Sequence, residues 1–247
     1  LADALSGNFT NYAGNVTLTD AAPSAANLAI INNKTSGTIT LNANDATFTG
    51  TAADVAAKFA GGLVGTQTGA VTITDSATAT IAATTLSSIG EQTDGTVTVS
   101  NAITISGTTA ELTAALVTTA SLVVAGTAKL TFTDDPTGAE LAAINPKTSG
   151  TITLADTAQN FSGTATELAA AFDGFGTDAL TGTITITGAA PSPTELKTIS
   201  DATSGAITLP STNFTLSASS SVLADALSGN FTNYAGNVTL TDAAPSA

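Results

Sequence analysis

Side chains able to do acid–base, nucleophilic or metal chemistry are few in this sequence, and they are widely spaced. Asp134 and Asp135, ahead of Pro136, are the one adjacent acidic pair. A calcium loop needs several oxygens converging on one ion, and the chain holds neither a D-x-D-x-D-G loop nor a GGxGxD nonapeptide. The pair therefore reads as a solvated turn before a helix cap. Two separated carboxylates could share acid–base work, but Asp54, Glu111, Glu140, Glu167 and Glu195 stand at expected helix starts, where capping accounts for them. Cys, His, Met and Trp are absent, which removes thiolate and imidazole chemistry, disulfides and soft metal sites. No catalytic, cofactor-binding or metal residue is assigned, no cofactor is expected, and folding is expected to need no metal. Asn-x-Ser/Thr sequons at Asn8, Asn15, Asn33, Asn160 and Asn213 are chance matches in a chain rich in Asn and Thr.

Charge excludes further classes. Five Lys and no Arg face 19 acidic residues, a net charge of −14, so nucleic-acid phosphates and anionic membrane surfaces would repel the chain. No apolar run reaches the roughly 18 residues of a membrane-spanning helix. Hydrophobic residues make up 43% but aromatics only 4%, so the core is expected in thin layers of Ala, Val, Leu and Ile.

What must position these residues is a repeat. Residues 223–247 repeat residues 1–25 letter for letter, an offset of 222; the chain is read as one period (1–222) plus the opening of the next. Such self-similarity is the mark of an array. Along the chain, Gly leads a short alternating run nine times: NVTLT after Gly14, TITLN after Gly37, AVTIT after Gly69, TVTVS after Gly95, TAKLT after Gly126, TITLA after Gly150, TITIT after Gly182, AITLP after Gly205 and NVTLT after Gly236. The intervals between these glycines run 23, 32, 26, 31, 24, 32, 23 and 31, so short and long units alternate. Alternation of β-branched and polar types predicts half-buried strands, with pairs such as Val16/Leu18 and Ile184/Ile186 inward. Thr stands between them in every run except one, where Lys129 replaces it. That outward Thr column is the sharpest functional signal. An unbroken flat Thr ladder could order water and bind ice, but Thr is also an ordinary solvent-face strand residue.

Helix starts follow the strands. Thr51 with Asp54, Thr108 with Glu111, Thr137 with Glu140, Thr164 with Glu167 and Ser192 with Glu195 have capping-box spacing. Ser24 with Asn27 is a weaker form, and the segments at Ala83 and Ser219 depart from it. Apolar pairs such as Leu112/Leu116 and Leu196/Ile199 follow. Helices of two to three turns cannot stand alone in water and must stack on neighbouring units. Long units add a short strand before the helix, at positions 47–50, 104–107, 160–163 and 215–218.

The pattern predicts an α/β fold: a right-handed α/β solenoid with one parallel sheet from the Gly-led strands, short helices on its other side, and alternating short and long coils over a single continuous segment 1–247. Separate β-β-α-β-α domains are the alternative. The S/T-G-T-I-T-L strands alternating with SGTATEL and PTGAELAAI helix starts resemble the giant repetitive cell-surface proteins of bacteria, particularly those of marine cyanobacteria. The resemblance implies an extracellular or cell-surface scaffold, adhesive or motility-linked, built of many copies, and supplies no site residues. Two function classes follow: a structural spacer or filament element, or a module binding a glycan or another surface. An enzyme is not expected. The expected partners are neighbouring copies of the same repeat, head to tail.

Overall fold

A computed structural model of the chain describes residues 2, 12–21, 23–121, 123–177, 179–211, 213–232 and 234–242; the sequon at Asn8 lies outside them. The chain forms two compact units, residues 1–131 and 132–247. The first holds helices α1 (Ala25–Lys34), α2 (Ala52–Phe59), α3 (Ala83–Gly90) and α4 (Thr109–Leu116). Its strands are β1 (Val16–Thr17), β2 (Ile39–Thr40), β3 (Phe48–Gly50), β4 (Val71–Ile73), β5 (Thr80–Ala82), β6 (Val97–Val99), β7 (Thr104–Gly107) and β8 (Val123–Val124), and β9 (Lys129–Phe132) begins there. The second unit holds α5 (Gly138–Ile144), α6 (Ala165–Phe172), α7 (Pro193–Ala202) and α8 (Ser220–Ala226). Its strands are β10 (Ile152–Thr153), β11 (Phe161–Thr164), β12 (Ile184–Thr187), β13 (Ile207–Thr208), β14 (Leu216–Ala218), β15 (Phe231–Thr232) and β16 (Val238–Leu240). The architecture is mixed α/β, with parallel sheets and short helices.

The helices begin where the capping residues stand. Full capping boxes form at Thr108/Glu111, Thr137/Glu140, Thr164/Glu167 and Ser192/Glu195. At α2 the Thr51 hydroxyl accepts from the N–H of Asp54, but the shorter Asp does not close the box. The N–H of Ala52 donates instead to Asp75, 2.7 Å away. The two segments that depart from the pattern are nonetheless helical. Helix α3 has no side-chain cap, and α8 starts with the Val222 N–H on Ser219 at 3.5 Å. Each helix packs on the next within its unit, α1 on α2, α2 on α3 and α3 on α4, then α5 on α6, α6 on α7 and α7 on α8. The inward strand and helix positions are buried: Val71, Val97, Leu112, Ile184, Leu196 and Ile207 are 0% exposed.

The strands do not share one sheet, and here the structure departs from the expected arrangement. In the first unit β3, β4, β6 and β8 form a four-stranded parallel ladder, with Phe48 opposite Val71, Val71 opposite Val97 and Val97 opposite Val123. In the second, β11, β12, β13 and β15 do the same through Phe161, Ile184, Ile207 and Phe231. Among the described residues, strand β1 pairs only with β2, whose Ile39 bridges to Leu63, and β14 pairs with β16. Opposed positions on successive rungs of these ladders differ in number by 22 to 26, from Leu216 and Val238 at the short extreme to Val71 and Val97 at the long one. Val71 lies a whole long unit beyond Ile39, too far for one rung. It therefore meets the pre-helix strand at Phe48 and not the earlier Gly-led strand.

Helix starts advance faster than rungs, from Ala25 to Ala52, Ala83 and Thr109 in one unit and from Gly138 to Ala165, Pro193 and Ser220 in the other. These two four-rung ladders therefore each open with a strand directly before one helix and close with a strand directly after another: β3 precedes α2 and β8 follows α4, while β11 precedes α6 and β15 follows α8. Adjacent rungs approach so closely at the leading glycines that a Cβ on Gly37 would overlap the Gly14 carbonyl, and one on Gly205 the Gly182 carbonyl. Only glycine fits there.

Candidate functional site

Glu140, Glu167 and Glu195 are held at helix starts. Hydroxyl–carboxylate contacts at Thr137–Glu140 (2.7 Å), Thr164–Glu167 (2.9 Å) and Ser192–Glu195 (2.8 Å) have the reach of a nucleophile–base pair. In each, however, the same carboxylate oxygen also accepts the backbone N–H of the cap residue. Hydrogen bonding to Thr137 holds the Glu140 carboxyl below its usual range, and bonding to Thr164 does so for Glu167. Glu195 is lowered first by the hydroxyl of Thr166, which reaches it at 2.7 Å, then by Ser192. A lowered carboxylate is a weaker base, so these contacts serve capping rather than proton abstraction. Asp134 and Asp135 are exposed. Among the described residues no three His, Cys, Asp or Glu side chains gather as a metal site.

The Thr column faces outward, with Thr17, Thr40, Thr98, Thr153 and Thr208 exposed and Thr72 and Thr185 half-exposed. The ladders divide it. One row reads Thr49, Thr72, Thr98 and then Val124; another begins with Ser162, Thr185 and Thr208. Exposed Lys129 stands apart from both rows.

Buried and half-buried hydroxyls carry a second pattern, which strand and helix periodicity did not reveal. Thr35, Thr93, Thr148 and Thr203 each stand two positions before a leading Gly, and each hydroxyl accepts that glycine's N–H at 2.9 to 3.0 Å. The hydroxyls also donate back to the preceding rung, Thr35 to Gly14 O at 2.7 Å, Thr93 to Gly69 O at 3.0 Å and Thr203 to Gly182 O at 3.3 Å. The recurring Thr-x-Gly spacing is visible in sequence; that the hydroxyl bridges two rungs is not. Asn32 and Asn145 do similar work on helices, and their numbers differ by 113, about half the period. The Asn32 amide donates to Ala57 O of α2, and that of Asn145 to Ala170 O, Ala171 O and Asp173 O at the end of α6.

A cavity of about 500 Å³ opens in the second unit beside Asn145, Thr148, Ile152, Ala170, Asp173 and Phe175. Its origin follows from the offset that relates Asn32 to Asn145. In the first unit Leu63 bridges to Ile39, which is 1% exposed. The counterpart of Leu63 is Gly176, which brings no side chain, and Ile152, the counterpart of Ile39, is left half-buried.

Lys58 on α2, in the first unit, is a buried cation. It is 1% exposed, its Nζ has no hydrogen-bond partner, and burial pushes its amine down to about 6. No protein-family model, curated protein or solved structure matches the chain. Among the described residues, no helix is long and apolar enough to cross a membrane.

Proposed function

We propose that this chain is a structural repeat segment of a long extracellular or cell-surface scaffold, an α/β solenoid in which the period of 222 is one length element and neighbouring copies join head to tail. The observation that carries the reading is the identity of segments 1–25 and 223–247. Packing within each unit supports it: every helix is held by the next one along the chain, the nearest-neighbour organisation of repeat arrays. The lowered carboxyls at the helix caps and the scarcity of other reactive groups favour a structural role over catalysis. Chains of one, two and three periods test it by small-angle scattering and melting. A constant increment in maximum dimension per period, with a melting temperature that rises and then levels, is the expected result. Increments accompanied by an unchanging melting temperature would mean independent domains.

A second reading, a surface-binding module for a glycan or another ligand, is favoured by the cavity beside Ile152, which the first unit closes with Leu63. Titration with a glycan panel tests it, with Gly176→Leu as the variant expected to fill the cavity. Ice binding has weaker support, because one Thr row gives way to Val124 and the other begins with Ser162.

A further inference from the structure

One strand sequence occurs in two settings. Residues 34–41 and 147–154 both read KTSGTITL, at the offset of 113 that relates Asn32 to Asn145. In the first unit the edge of β2 is occupied. The Ile39 N–H donates to Gly62 O at 2.7 Å, and the Val64 N–H donates to Ile39 O at 3.0 Å. Leu63 lies between these two bonds, and Ile39 is 1% exposed beneath it. In the second unit β10 ends its sheet, and among the described residues no later segment pairs with it. Its Ile152 is half-buried at the cavity.

The segment that corresponds to the first unit's cover is in place and turned elsewhere. Residues 172–177 are the counterparts of 59–64, with Gly176 where Leu63 stands. The Phe175 N–H donates to Phe172 O at 3.0 Å, closing a turn in which Gly174 takes a φ of 78°. The Gly176 carbonyl accepts the Ala179 N–H at 3.1 Å. These bonds stay within the segment, whereas Gly62 and Val64 spend theirs on the strand. Phe175 packs its ring 6.0 Å from that of Phe172 and lines the cavity. The opening lies in mid-chain, beside an edge that the same sequence fills elsewhere in the molecule.

We infer that β10 and the cavity beside it are a docking groove for an extended peptide segment of a partner protein, which adds as a parallel strand and seats a branched aliphatic side chain over Ile152, Ala170 and Phe175. The inference rests on the surface-binding reading of this cavity and adds the ligand class, the direction and the register. The occupant is defined by the first unit, where Gly62, Leu63 and Val64 cover an identical strand. A peptide in the same register gives a carbonyl to the Ile152 N–H and an N–H to the Ile152 carbonyl. In strand addition of this kind the main-chain bonds supply affinity and the side-chain pocket supplies selectivity. Charge narrows the partner further. Of the described residues lining the opening, Asp173 alone is charged, it stands where the first unit has Ala60, and the chain carries −14. A segment with lysine beside the aliphatic residue is therefore favoured over an acidic one.

Three labelled synthetic peptides test this on the full chain by fluorescence anisotropy. KGGLVGTK carries the sequence of residues 61–66 between lysines; KGGSSGTK lacks the aliphatic pair, and EGGLVGTE reverses the flanking charge. Saturable binding of the first is expected, with the other two at least about tenfold weaker. Bound KGGLVGTK should also slow hydrogen exchange at the Ile152 N–H. Gly176→Leu restores the side chain that the first unit has, and a Cβ there meets nothing within 4 Å. It should weaken KGGLVGTK by a similar factor. Equal affinities for the three peptides, or binding of KGGLVGTK that Gly176→Leu leaves intact, would overturn the inference. Glycan binding that Gly176→Leu abolishes, with no peptide bound, would overturn it too while leaving the surface-binding reading in place.

Discussion

The Nζ of Lys58 lies 2.7 Å from the centre of the Phe48 ring and 3.9 Å from that of Phe59. Across the half-period offset the counterpart of Lys58 is Ala171, and the rings of Phe161 and Phe172 approach to 5.1 Å. The Phe48 and Phe59 rings stand 6.4 Å apart, with the amine over both. Rings attract a cation, but burial dominates and favours the neutral amine.

The consequence is a stability that rises with pH. Between about 6 and 10.5 the unfolded lysine holds a proton that the folded one has released. Raising pH through that window therefore favours the folded state, by up to about 1.4 kcal/mol per pH unit. Below about 6 the lysine is protonated in both states and adds no further slope. Lys58→Met should stabilise the protein at neutral pH by on the order of 3 kcal/mol and flatten the profile from pH 7 to 10. Urea melts across that range check it; equal slopes in both proteins would disprove the buried neutral amine.

The capping carboxylates act at the opposite end of the scale. Glu140, Glu167 and Glu195 have folded values below their ordinary one. They therefore contribute stability that is present above the unfolded value and is lost as pH falls through the folded values. Replacing all three with Gln should lower stability at neutral pH and make the acid limb shallower. An acid limb as steep as in the parent would place the acid sensitivity elsewhere.

Removing the hydroxyl between rungs should cost more than removing an exposed one. Thr93→Val leaves the Gly95 N–H and the Gly69 carbonyl without that bridge, a loss of about 1–3 kcal/mol. Thr98→Val, on the exposed face, should stay within about 0.5 kcal/mol of the parent. Chemical denaturation of the two variants side by side decides it, and equal effects would deny the bridge its role.

Asn145 offers a test by charge. Asn145→Ala strips three carbonyls at the end of α6 of their side-chain donor, for about 1–3 kcal/mol. Asn145→Asp keeps the shape but turns a donor into an acceptor at the negative end of a helix, so it should be worse than Ala at neutral pH. If Asp proves the milder change, the amide is not serving as a donor.

Much of this protein is decided by relations between close neighbours in the chain. Inward pairs such as Val16/Leu18 and Ile184/Ile186, the Thr or Lys between them, and the caps from Thr51 to Ser192 follow from side-chain alternation in a strand and hydroxyl reach at a helix start. The absence of His and Cys likewise removes imidazole and thiolate chemistry whatever the fold. Which strands become neighbours was not legible. Alternating short and long intervals suggested that Gly-led strands stack on one another, yet Val71 sits beside Phe48. Opposed positions in the ladders lie 22 to 26 residues apart along the chain, a spacing that the interval of 32 between Ile39 and Val71 overshoots. Burial of Lys58, of the Thr93 hydroxyl and of the Asn145 amide is also a matter of tertiary structure. Each meets groups from outside its own element, such as Phe48, Gly69 and Asp173, which strand and helix periodicity do not relate to it.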